Sequence, residues 1–475
     1  MDAIEYKPPY PISLDIIKEK VAKRNGNNHI YAKPYNHVYS RGKLYYPNVK
    51  KQKNNFGETI TRVDGNIPVD LPVENGQSFL FISYDQSALT HGLHKYPAKF
   101  FPELPRWLIN RYSKKNDIVL DPFSGSGTTN VEALIYKRNS IGIDVDPFSK
   151  FLSKVKTTQL NVEELKYSHE ELLENLTRFT SESVNDKDIP NFPYRDNWFQ
   201  KEIILELAYI RRSINELKVN QYLRNFYYIC LSSIIRSVSN ADNNCTRTVI
   251  RKKLNKNIYP SMALTKFAET ILLNVPKMIE FSKLDLNGIT AEFPEDNDAR
   301  KIKYPNEYFD LAITSPPYAN AVDYPRTHQL EMYWLGLANG SLTPLKRKHV
   351  GTESVKITDY QKLREIGISE ADLVIERIYK KDPRRAYIVY KYLWDMETNL
   401  NEVYRVLKTN GRYIVVVGNN TIRGNTFENW KYIMKLSQKI GFEIESYFTS
   451  EIIRHFIKVP RTERINTDWI IVLRK

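Results

Sequence analysis

The feature that most constrains this chain is a short apolar run, a glycine turn, a helix and a second apolar run in immediate succession. Asp117 to Asp121 (DIVLD) reads as a buried strand, and Asp121-Pro122-Phe123-Ser124-Gly125-Ser126-Gly127-Thr128-Thr129 as a tight turn. TTNVEALIYKR carries a helical period, and Ser140 to Val145 (SIGIDV) is a second buried strand. A strand-helix-strand unit closes into parallel strands with a right-handed crossover, so it opens a doubly wound α/β fold. FPELPRWLINRYS, just upstream, reads as a helix with Leu104, Trp107, Leu108 and Ile109 apolar.

The rest of the 475 residues divides around that unit. Residues 1–85 are rich in Tyr, Pro, Asn and Lys, with runs such as KVAKRNGNN and KKQKNN and no sustained period, and read as an accessory arm. Residues 86–155 hold the glycine turn. Residues 156–290 carry apolar residues at three- and four-residue steps (LKYSHEELLENLTRF, KEIILELAYIRRSINEL, YLRNFYYICLSSIIRSV), the pattern of an inserted helical subdomain ending in the basic run Arg247 to Lys256. Residues 291–475 return to sheet: EYFDLAIT is a buried strand running into Ser315-Pro316-Pro317-Tyr318. A basic stretch without clear period follows at 335–385, including Lys346-Arg347-Lys348-His349. DMETNLNEVYRVLKTNGRYIVVVGN then reads as a helix, a stop at Gly411 and an apolar strand, and a helix near 427–440 and strands at 442–445 and 469–473 close the chain.

Two motifs carry chemistry. The glycine turn sits between strand and helix, where backbone can approach a ligand; it lacks Gly-Lys-Ser/Thr and is no phosphate-cradling loop. Asp144, about 20 residues on, stands where a carboxylate accepts hydrogen bonds from ribose hydroxyls, as in NAD enzymes and methyltransferases alike. Ser315-Pro316-Pro317-Tyr318 separates those classes. A nucleobase amine is a poor nucleophile because its lone pair is delocalised, and acceptors that hold its N–H bonds help it react. Prolines have no N–H, so this loop presents carbonyls on a stiff scaffold beside the Ser315 hydroxyl, with the Tyr318 ring for an extruded base to stack on.

Composition narrows the partners. Seventy Lys and Arg against 55 Asp and Glu leave a formal charge of +15, which favours a polyanion such as nucleic acid. Two cysteines, Cys230 and Cys245, make neither a disulfide framework nor a four-ligand zinc site. No apolar run approaches the ~20 residues that span a bilayer, and the first residues lack a signal-peptide layout, so a cytoplasmic location is expected.

DPFSGSGTT, then IGIDVDP, then TSPPY resembles the S-adenosylmethionine-dependent DNA amino-methyltransferases of restriction-modification systems, most of all those acting on cytosine N4, over about residues 90–155 and 295–475. The resemblance implies a Rossmann-like methyltransferase sheet, S-adenosylmethionine as cofactor, double-stranded DNA as partner, a cognate endonuclease acting on the same site, and no metal. It also implies site residues. Asp121, Phe123, Gly125 and Gly127 hold the methionine part of the cofactor, Asp144 the ribose (with Asp146 the alternative), and Asp298 the adenine amine. Ser315, Pro316, Pro317 and Tyr318 form the catalytic loop. HGLHKYPAKF (91–100) resembles the family's additional cofactor element, with Lys99 for the methionine carboxylate; a metal site at His91 and His94 is the lesser reading.

Alternatives stay open at this point. Adenine N6 methylation uses the same acceptor logic, usually with Asp or Asn where Ser315 stands. An RNA or tRNA amino-methyltransferase, a nicotinamide oxidoreductase and a DNA-binding protein without turnover share parts of the pattern. Cytosine C5 methylation needs a nucleophilic cysteine, usually after proline, and Ile229 and Asn244 precede the two cysteines here. Target recognition falls to residues 155–290, to 335–385, or to both.

Overall fold

The computed structural model describes residues 12–25, 38–40, 43–45, 48–54, 57–251, 256–319, 322–452 and 467–475. The centre of the basic run at 247–256 and part of the first basic run lie outside these residues. Ten strands form one sheet: β1 (Val49–Lys53), β2 (Thr59–Asp64), β3 (Ser78–Ile82), β4 (Ile118–Asp121), β5 (Asn139–Gly142), β6 (Ala291–Glu292), β7 (Phe309–Thr314), β8 (Leu407–Gly418), β9 (Glu443–Glu451) and β10 (Thr467–Arg474). Their spatial order is β1-β2-β3-β9-β10-β8-β7-β4-β5-β6.

From β4 the chain winds outward through β5 and β6, returns to β7 on the other side of β4, and winds through β8 in the opposite direction, all parallel. The reversal between β4 and β7 is a topological switch point, beyond whose carboxyl ends open α/β sheets bind ligands. β10 is antiparallel to both β8 and β9.

Alternation along the strands explains the layers. Val119, Leu311, Ile313, Ile414 and Val416 point to one face, where helix α1 (Glu103–Tyr112) buries Leu104, Trp107 and Leu108. Leu120, Ala312, Tyr413, Val415 and Val417 point to the other, against helices at 369–379, 383–406 and 429–440. The expected insertion is helical, at 162–177, 201–216, 221–238 and 262–282. Its core is continuous with α2 (Thr128–Ile135) and α3 (Pro147–Thr157) through Val131, Leu134, Phe148 and Leu152. No helix among the described residues is long and apolar enough to cross a membrane.

Three regions differ from the sequence reading. The first 85 residues supply β1, β2 and β3, which extend the main sheet, with β3 parallel to β9; the accessory arm is there an edge of the core. The KKQK run is the outermost strand, whose lysines discourage pairing with another chain. The 335–385 stretch contains the helix 369–379, which buries Ala371, Ile375 and Ile378. Gly411 stops no helix: the helix ends at Val406 and β8 starts at Leu407, with Gly411 inside the register shift between Leu407 and Arg412. A side-chain carbon there would lie 2.7 Å from Leu407 Cγ.

A buried charge network anchors α1 and α2. Arg106 Nε donates to Glu132 Oε2 (2.9 Å) and Arg106 Nη1 to Asp85 Oδ2 (2.7 Å), while His91 Nε2 lies 2.8 Å from Glu132 Oε1. Burial alone would raise the Glu132 carboxyl; Arg106 and His91 hold it below its usual value. Arg106→Ala leaves that charge buried with His91 alone, so a loss of about 3–5 kcal/mol is expected in urea unfolding.

Candidate active site

Beyond the carboxyl ends of β4 and β7 the two motif loops form opposite lips of one cleft. Ser124, Gly125 and Ser126 line one lip, Ser315 and Pro317 the other. The join is direct: Thr314 Oγ1, one residue before the proline loop, donates to Asp121 Oδ1 at 2.7 Å. Phe123 N–H donates to the same oxygen at 3.1 Å. Burial pushes the Asp121 carboxyl up to about 6.

The turn itself needs its glycines. Gly125 (φ +49°) and Gly127 (φ +71°) are left-handed, and a side-chain carbon on Gly127 would lie 2.7 Å from Ser153 Oγ. Gly125 N–H donates to Asp144 Oδ2 (2.9 Å), and Asp146 N–H to Asp144 Oδ1 (2.8 Å). Asp144 lies just past β5 and lines the cleft. Burial, then the neighbouring Asp146, bring its carboxyl up to about 6. Asp146 caps α3, accepting from Phe148 and Ser149 N–H, and its other oxygen lies 3.5 Å from His349 Nε2.

Lys99 and Asp298 also line the cleft. Lys99 Nζ donates to the carbonyls of Gln86 (2.9 Å) and His91 (3.0 Å), and burial, with Lys277 second, brings it down to about 8. Asp298 is gripped by Arg300 through Oδ1 (2.9 Å) and Oδ2 (2.7 Å). Of the residues singled out from the sequence, Lys99, Asp121, Phe123, Gly125, Asp144, Asp298, Ser315 and Pro317 share this wall. Gly127, Pro316 and Tyr318 sit off it: Gly127 caps α2, Pro316 is buried, and Tyr318 Oη donates to Asp468 Oδ1 at 2.8 Å. His91 and His94 are buried, the first against Glu132 and the second 2.7 Å from the Lys95 carbonyl.

Sequence reasoning missed several wall residues. The Tyr96 ring stacks on Tyr324 (5.6 Å) and His328 (5.1 Å), its hydroxyl meets Ser149 Oγ (2.8 Å), and it covers Gly125. Lys348, His349 and Val350 close another side. Tyr96 stands inside HGLHKYPAKF, three residues before the candidate Lys99, and an aromatic at that position was the available signal.

The donor set fits an adenosyl cofactor carrying a sulfonium. Asp121, Asp144, Asp146 and Asp298 face the cleft, whereas of its cations Arg300 is already paired with Asp298. A pyrophosphate would meet these carboxylates unfavourably, which disfavours the nicotinamide reading. Below about pH 6 Asp144 loses its charge, and in the expected role of ribose ligand it would then be a weaker acceptor. Affinity for S-adenosylmethionine is therefore expected to fall about tenfold between pH 7.5 and 5 by calorimetry, an acid limb that Asp144→Asn should flatten.

Fold and cleft set a glycine turn and a neighbouring acidic residue against a proline-rich loop across one switch point of a doubly wound α/β sheet, the layout of an amino-methyltransferase. Comparison with known proteins agrees. Residues 2–154 match the family model described as DNA methylase, that of the N6 and N4 methyltransferases. The Type II methyltransferase M.MvaI of Kocuria varians is 28% identical over 370 residues, covering 74% of this chain and 81% of its own. M.BsoBI of Geobacillus stearothermophilus is 27% identical over 370 residues, covering 70% and 69%. A solved SAM-dependent methyltransferase from Methanosarcina mazei aligns over 80% of this chain and 98% of its own at 12% identity and a TM-score of 0.28, too slight a likeness to add to the topology. The chain is thus similar to DNA methylases of the N6 and N4 family over its first third and to Type II methyltransferases over most of its length.

Proposed function

We propose that the protein methylates the exocyclic N4 of cytosine at a specific sequence in duplex DNA, with S-adenosylmethionine as cofactor, and so protects that site from a cognate endonuclease. The observation that carries this reading is the Asp121–Thr314 hydrogen bond, which makes the cofactor turn and the proline loop walls of one cleft. Ser315 in place of an acid or amide favours cytosine N4 over adenine N6.

When bound, S-adenosylmethionine supplies an electrophilic methyl on a sulfonium. Asp144 holds the ribose, Asp298 the adenine amine and Lys99 the methionine carboxylate. The Ser315 hydroxyl and the Pro316 carbonyl accept the N–H bonds of the target amine and align its lone pair, and the buried Pro316 and Ala319 help exclude water. A base still stacked in a duplex cannot reach this cleft, so the target cytosine swings out toward the proline loop, with Tyr318 just off the cleft wall as the ring it meets. Both cysteines sit elsewhere: Cys230 is buried against Asn274, its thiol pushed by burial up to about 12, and neither lines the cleft. That speaks against a covalent C5 route.

The stretch 343–394 is the favoured DNA-facing wall. It holds twelve Lys and Arg against seven Asp and Glu, closes the cleft through Lys348 to Val350, and exposes Trp394 under Lys391. The test is tritiated methyl transfer to duplex DNA and to total tRNA, followed by nucleoside analysis. N4-methyldeoxycytidine from DNA is expected. N6-methyldeoxyadenosine would overturn the target base, and label in tRNA alone the substrate.

A further inference from the structure

The hydroxyl of Tyr318 is not required for stacking, since a phenylalanine ring stacks as well, yet it is held. It donates to Asp468 Oδ1 at 2.8 Å across 150 residues of sequence. Asp468 lies at the start of β10, paired with Gly418 of β8 and Ser450 of β9, at the sheet edge where the cleft opens. Its anchor is stiff: the next residue, Trp469, stacks on Trp430 with ring centres 3.8 Å apart and planes 5° apart. Burial raises this carboxyl and the Tyr318 hydroxyl opposes that rise, so the two groups are linked.

We infer that Asp468 is a positioning residue for the methyl-transfer step: by holding the Tyr318 hydroxyl it fixes the ring as a preset wall for the extruded base. This rests on the function proposed above. Tying the far end of the ring removes torsional freedom that its root alone leaves, and a wall displaced by about 1 Å costs up to roughly 10²-fold in rate. Tying it to β10 rather than to its own loop makes the wall's position a property of the sheet.

The test compares steady-state methyl transfer to DNA by the wild-type chain, Asp468→Ala, Asp468→Asn, Tyr318→Phe and the Asp468→Ala/Tyr318→Phe double variant. Expected is a fall in kcat of about tenfold for Asp468→Ala and for Tyr318→Phe, with KM for S-adenosylmethionine unchanged. The double variant is expected to be no slower than the worse single one, because both remove the same hydrogen bond. Asp468→Asn keeps an acceptor oxygen and should stay within about threefold of wild type. Unchanged kcat in Asp468→Ala, losses that multiply in the double variant, or an asparagine no better than alanine overturns the inference. A wild-type chain that methylates no DNA overturns instead the functional reading on which it rests.

Discussion

Asp144→Ala is expected to weaken S-adenosylmethionine binding by about 10²-fold while leaving affinity for duplex DNA within about threefold. A carboxylate accepting two ribose hydroxyls contributes roughly 1.5 kcal/mol or more per bond, and about 3 kcal/mol is a factor of just over 10². The same side chain accepts the Gly125 N–H, so its removal also unties the glycine turn from β5. The hydrogen bonds of Asp144 go to Gly125 and Asp146 rather than to the proposed DNA-facing stretch 343–394, which is why the two affinities are expected to separate. Calorimetry with S-adenosylhomocysteine and filter binding with duplex DNA measure them independently, and equal losses in both would contradict this division of labour.

The Ser315→Ala/Tyr318→Ala variant is expected to lose at least 10²-fold in kcat with cofactor affinity within about threefold of wild type. In the proposed mechanism Ser315 accepts from the reacting amine, and loss of one preorganised polar contact of that kind costs about 10²–10³ in rate. Tyr318 adds the wall against which the base rests. Neither side chain makes a hydrogen bond to the glycine turn, so the cofactor side of the cleft stays intact. Single-turnover transfer from tritiated S-adenosylmethionine checks the rate. Near-wild-type turnover would remove the proline loop from the mechanism.

How much of this was legible in sequence follows from how local each signal is. β4, the glycine turn and α2 lie within about 20 consecutive residues, and TSPPY ends its own strand, so both lips of the cleft could be read from short windows. Their adjacency followed from the parallel topology alone, since β4 and β7 meet only through a crossover of almost two hundred residues carrying the helical insertion. The strand β1 escaped notice because an edge strand such as VKKQK is lysine-rich and shows no apolar alternation. The helix 369–379 buries a short i, i+4, i+7 stripe of Ala371, Ile375 and Ile378, too few positions to stand out in a basic stretch. Tyr96, Tyr324 and His349 reach the wall from three distant segments, and the Tyr318–Asp468 pair spans a sheet crossover. No local pattern encodes contacts of that kind.

The most direct measurement is a crystal structure of the protein with S-adenosylhomocysteine. The account predicts the adenine against Asp298, the ribose hydroxyls on Asp144, and the sulfur lying between the Gly125 turn and Ser315-Pro316, open to the proline loop. A ligand seated elsewhere on the sheet, or one whose sulfur points away from Ser315, would contradict it.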